Sequence, residues 1–238
     1  MSQPESDPYR PPTAPLGPPP EARGPTEPVE GNPWLTIWTR PRGTIRRIVD
    51  ADPAHGVIAL GAISGFTGVL FLAYKIRLGD RLEPGSILAF ATVIGTTSGI
   101  LRVYLVGAFL SWTGSWLGGV ATPREARAAF AWGSVPNAAA LALFALMILA
   151  GGPGLFQTAG LARLGPPLGS LIEGLDATAS LLGIWGLVLV LRAVAEVHQF
   201  SSWMALAAGF LTALLLASLF LVTVALMLAT GTLQPPAA

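Results

Sequence analysis

From Gly56 onward the chain alternates long apolar blocks with short polar links, and each block is about as long as a bilayer is thick. Val57–Tyr74 holds no charged residue, and Val197–Ala238 contains no Asp, Glu, Lys or Arg. About 20 apolar residues at ~1.5 Å each cross a hydrocarbon core of ~30 Å. Lipid offers no partner for a backbone N–H or C=O, so such blocks span as helices. The pattern predicts an all-α integral membrane bundle of about five transmembrane helices.

The first span is about Gly56–Tyr74, ended by Lys75, Arg77, Asp80 and Arg81. The second runs from about Ser86 to Gly118 and is interrupted only by Arg102. Halves of about 15 residues would be too short to cross, so one long, tilted helix is expected, with Trp112 and Trp116 emerging at an interface. Thr122, Pro123 and the following acid form a helix start. The third span lies within Ala126–Ala150. It is either kinked at Pro136 or preceded by a surface helix ending near Ser134; four spans result if it is only interfacial. Gly151–Gly174 reads as a loop. The fourth span is about Asp176–Ala195, with Asp176 as N-cap, and the fifth is about Trp203–Ala229.

Ahead of the spans, residues 1–33 carry eleven of the chain's 21 prolines. Such a stretch buries too little apolar surface to offset its ordering entropy, so a disordered tether is expected. Residues 34–55 predict an amphipathic interfacial segment, with Thr44 as a cap. Trp34, Ile37 and Trp38 can share a face, as can Ile45, Ile48 and Val49. Arg40, Arg42, Arg46 and Arg47 lie opposite, and together with Trp34 and Trp38 they are the candidate lipid-facing residues. The remaining units are a membrane domain at 56–230 and a short tail at 231–238.

Positive charge predicts orientation. With the N-terminus inside, Arg40, Arg42, Arg46, Arg47, Arg124, Arg127 and Arg192 lie on the inner side, against Lys75, Arg77, Arg81 and Arg163 outside. The majority favours a cytoplasmic N-terminus and an external C-terminus. The pairs Gly61/Gly65, Gly95/Gly99 and Gly114/Gly118 have the spacing of close helix packing, expected mainly within the monomer.

Composition narrows the chemistry further. Charged residues make up 11% of the chain, against about 25% in ordinary soluble domains. A net charge of +1 with scattered arginines gives no nucleic-acid face. Without cysteine, thiol catalysis and thiolate metal sites are excluded. His55 and His198 have no second ligand one turn away, and no phosphate-cradling Gly-Lys-Ser/Thr loop is present, so no catalytic residue, metal site or cofactor is expected. Arg102 is the exception: a charge deep in a span usually faces a partner or a cavity. Glu196 is the expected partner and Asp176 the lesser one, which makes Arg102, Glu196 and Asp176 the candidate intramembrane polar residues.

Three stretches carry a family resemblance. They are Ile37-Trp38-Thr39-Arg40-Pro41-Arg42-Gly43-Thr44-Ile45-Arg46-Arg47-Ile48, then Leu117-Gly118-Gly119 with Ala131-Trp132-Gly133-Ser134-Val135-Pro136, then Leu191-Arg192-Ala193-Val194-Ala195-Glu196-Val197-His198-Gln199-Phe200-Ser201. In this order, from Pro33 to Gln199, the chain resembles the prokaryotic branch of the Yip family, small multi-spanning proteins named for interaction with Rab/Ypt GTPases. The resemblance implies a five-span helical domain with a cytosolic tail and no catalytic residues. The Asp-Leu-x-Gly-Pro type motif before the first span and the Gly-Tyr pair in the second are both missing, so a Rab-type GTPase is not an expected partner. The Gly-, Ala- and Arg-rich composition points to the bacterial cytoplasmic (inner) membrane. The expected function is a non-enzymatic organiser that binds membrane lipids, other membrane proteins or a second copy. The alternative is a small transporter or channel subunit with a polar site centred on Arg102.

Overall fold

The computed structural model describes residues 29–230, which contain helices and no strand. The tether expected at 1–33 and the tail at 231–238 fall largely or wholly outside them. Two short helices come first, α1 (Pro33–Thr36) and α2 (Pro41–Ala51). The first span is α3 (Val57–Lys75). The second is α4 (Pro84–Phe90) running through a π-helical turn at Ala91–Gly95 into α5 (Thr96–Trp116). Then follow α6 (Pro123–Gly133), α7 (Val135–Gly151), the short α8 (Thr158–Ala162), α9 (Pro166–Val197) and α10 (Ser202–Ala229). Counting α4–α5 and α6–α7 as one each, five helices are long and apolar enough to cross a membrane.

The alternatives at Pro136 resolve into a break. Ser134 ends α6 with its hydroxyl donating to the Phe130 carbonyl at 2.8 Å. Pro136 sits in the first turn of α7, where its missing N–H costs nothing. The expected surface helix is instead the most enclosed of all: Ala126, Ala128, Ala129, Ala131 and Trp132 are each no more than 1% exposed. Small alanines read as a weak signal, but they let α6 sit tightly between α5 and α9. Thr122 starts α6 as expected, in a capping box with Glu125.

Two further expectations are corrected. The fourth helix begins at Pro166 rather than Asp176, because Pro166 and Pro167 occupy a first turn whose N–H groups need no partner. Asp176 is therefore no cap; it lies inside α9 and pairs with Lys75 at 2.6 Å. Likewise α2 starts at Pro41, so Thr44 lies within it and its hydroxyl donates to the Arg40 carbonyl at 2.9 Å.

Small residues set the tightest crossing. A Cβ on Gly65 would lie 2.5 Å from Gly99 Cα, and one on Gly99 would lie 2.6 Å from Gly65 Cα. Gly61 also meets α5, against Ile100 and Val103, so α3 and α5 close within the monomer along the two glycine pairs. At the Lys75 end the polypeptide between α3 and α4 is held to that between α7 and α9. Asp80 accepts from the Thr158 N–H at 2.9 Å and from its hydroxyl at 2.6 Å. These bonds hold the Asp80 carboxyl below its ordinary pKa. The last helix is different: α10 buries only Ala205, Ala208 and Thr212, all in its first half.

Candidate functional site

The three stretches singled out in the sequence meet at one end of the bundle. Helix α2 turns its apolar face inward, with Ile45 fully buried and Ile48 nearly so, and packs on α6 and α9. Arg46 reaches Glu196 at the C-terminal end of α9, 3.3 Å from Oε1, and its Nη2 also donates to the Glu196 carbonyl at 3.4 Å. Arg42 donates to Ser202 at the start of α10 at 3.3 Å, and Arg47 to the Val29 carbonyl at 3.0 Å. Arg46, expected from the sequence to face lipid, instead clamps α2 onto the bundle. Trp132, from the second stretch, donates to the His55 carbonyl at 2.9 Å. Its ring lies 5.9 Å from His55 and 5.1 Å from Trp34.

His198 sits where the second and third stretches touch. It is 1% exposed and stacks on Phe200 at 4.9 Å. Gly114 and Gly119 form its cradle: a Cβ on Gly114 would lie 2.5 Å from Nε2, and one on Gly119 would lie 2.8 Å from Cγ. Neither ring nitrogen has a partner of hydrogen-bond geometry. Burial pulls the imidazole below its ordinary pKa, partly offset by the Leu110 carbonyl and the Glu125 carboxylate. Sequence reasoning weighed this histidine only as a metal ligand. The two glycines that cradle it lie some eighty residues earlier, and no local spacing announces them. Among the described residues no group of three His, Asp or Glu side chains could hold a metal ion.

Around this enclosed centre runs an exposed rim. Trp34, Trp112, Trp116 and Trp203 stand out from the bundle, Trp203 at 80% exposure. Arg40, Arg124 and Arg192, at the same end of the bundle, are exposed as well. Beside the rim a cavity of about 390 Å³ is lined by Asp52, Tyr104, Arg124 and Arg127 among others. The Arg127 guanidinium lies 4.6 Å over the Tyr104 ring, its backbone pressed close to Gly107.

Arg102 belongs to neither arrangement. Glu196 pairs with Arg46 and Asp176 with Lys75, so the structure does not bring the three candidate polar residues together. Arg102 instead borders a second cavity of about 210 Å³ between α3, α5, α7 and α9, with Ser64, Thr67, Asn137 and Ser180. Ser64 and Asn137 escaped notice in the sequence because isolated serines and asparagines in spans carry no pattern.

The Yip1 domain profile matches residues 35–226, which includes α2, the first four spans, most of α10 and the three stretches that meet around Glu196 and His198. The chain belongs to the Yip1 domain family. No curated protein and no solved structure matches it. As a Yip-family protein, with five helices long and apolar enough to cross a membrane, it is an integral membrane protein.

Proposed function

We propose that this Yip-family protein is a non-enzymatic membrane organiser that gathers anionic lipids, and through them partner membrane proteins, at the rim formed by Trp34, Trp112, Trp116, Trp203, Arg40, Arg124 and Arg192. The observation that carries the reading is the division of labour among the arginines. Arg42, Arg46 and Arg47 are spent on internal bonds, while Arg40, Arg124 and Arg192 stand exposed at the same end as the exposed tryptophans. Indole rings favour the headgroup level, and arginine attracts anionic phosphate there. Seven of the chain's bases lie on this side, which supports a cytoplasmic rim, an external C-terminus and residence in the bacterial cytoplasmic membrane. A reporter fused after Ala238 should then be active only outside.

The test compares thermal stability in nanodiscs of phosphatidylglycerol with nanodiscs of phosphatidylcholine. The wild type should be more stable in the anionic lipid, by a margin that shrinks with salt. The triple variant Arg40→Gln, Arg124→Gln, Arg192→Gln should lose that margin; if it keeps it, the rim is not the lipid site. The transporter reading, supported by the polar cavity at Arg102, requires solute flux in proteoliposomes, whereas the organiser requires none.

A further inference from the structure

We propose that the Arg102 cavity is an oxyanion site at mid-membrane depth, built for a phosphate group. Its depth follows from α3: Ser64 and Gly68 each lie seven residues from an end of that helix, about 10 Å along it. Three donors converge there without a protein acceptor. Arg102 makes no ion pair or hydrogen bond with any described residue, and neither does the Asn137 amide. The Ser64 hydroxyl is the sharpest case: the residue is 5% exposed and its Oγ has no partner. A hydroxyl shut away from water in this state is costly unless something accepts its proton.

The rest of the lining fits the same ligand. Thr67 and Ser180 have spent their hydroxyl protons on the Ile63 and Asp176 carbonyls, at 2.8 and 2.9 Å. No acid borders the cavity, so a cation would meet an uncompensated guanidinium while an anion would neutralise it. A lone charge near the centre of a helix in lipid is costly to hold, and both acids that could have offset it are engaged elsewhere. A guanidinium fork with two further donors suits the several acceptor oxygens of phosphate better than a halide. Arg102, Gly68 and Ser180 are exposed, so the mouth opens sideways on the bundle, toward lipid. The phosphate could belong to a lipid headgroup or arrive free from water. This site is independent of the tryptophan–arginine rim.

Two arms separate the sources in the purified full chain. Inorganic phosphate, titrated against chloride at equal ionic strength in dodecyl maltoside, should raise the melting temperature if the ligand is free phosphate. Native mass spectrometry after release from mixed phosphatidylglycerol–phosphatidylcholine nanodiscs should show retained phosphatidylglycerol if it is a lipid. Whichever arm responds, Arg102→Gln should weaken the response about tenfold or more, and Ser64→Ala should weaken it several-fold. Arg163→Gln, on an exposed loop, should leave it unchanged. The triple rim variant should keep it too, so failure here and failure of the rim reading are distinguishable. If Arg102→Gln does not fold, Ser64→Ala decides alone. A wild type that responds in neither arm, or a response that Ser64→Ala and Arg102→Gln leave intact, overturns the proposal.

Discussion

Breaking the Arg46–Glu196 pair should cost more than its position at the end of a bundle suggests. At 3.3 Å two unit charges attract by about 5 kcal/mol if the effective dielectric is ~20. Part of that is consumed in removing both groups from water. Exposed pairs are worth about 0.2–1 kcal/mol net, whereas losing one partner of a buried pair costs about 3–5 kcal/mol. The side chains here are 16% and 6% exposed, which places the pair near the buried limit. Glu196→Ala should therefore destabilise the folded state by about 3 kcal/mol, with Arg46→Ala slightly milder. Glu196→Gln, which keeps the shape and an acceptor, should cost less. The assay is equilibrium unfolding in mixed micelles on a double-mutant cycle. The double mutant should fall short of the summed singles by about 1–2 kcal/mol. Arg102→Ala with Glu196→Ala should instead be additive, since those two residues do not meet. Additivity for Arg46 with Glu196, or single costs below about 0.5 kcal/mol, would refute the clamp.

Gly99→Ala should destabilise by about 1–3 kcal/mol, because its Cβ would meet Gly65 backbone that cannot yield, while Gly209→Ala, where nothing lies within 4 Å, should be near neutral in the same unfolding assay. Stability should also fall as pH drops below about 6.5: with its folded-state pKa depressed, His198 refuses a proton that the unfolded chain accepts, at no more than ~1.4 kcal/mol per pH unit. His198→Phe should flatten that part of the pH profile, and an unchanged slope would assign it to another group.

The spans were legible because lipid leaves the backbone no alternative to helix, and apolar length alone then marks them. The start of α6 was legible for a local reason, since Thr122, Pro123 and Glu125 carry the whole capping box within four residues. The start of α9 was not: glycines and prolines at 165–174 imitate a loop, yet the prolines fall where a helix has donors to spare. Partner choice was the least legible feature. Glu196 was expected to pair with Arg102 and Arg46 to face lipid, and only the folding of α2 back onto α9 brings Arg46 to Glu196 instead. The same holds for the glycine cradle of His198, which is a product of tertiary closure.

Lipid recognition at the rim is tested most directly by electron paramagnetic resonance of spin-labelled lipids around the reconstituted protein. The expected result is a motionally restricted population enriched in phosphatidylglycerol over phosphatidylcholine at low salt. That enrichment should fall as ionic strength shortens the screening length from about 30 Å at 0.01 M toward about 8 Å at 0.15 M, and should vanish in the triple variant Arg40→Gln, Arg124→Gln, Arg192→Gln. Equal restriction of both lipids by the wild type, or a preference that survives in the triple variant, would contradict it.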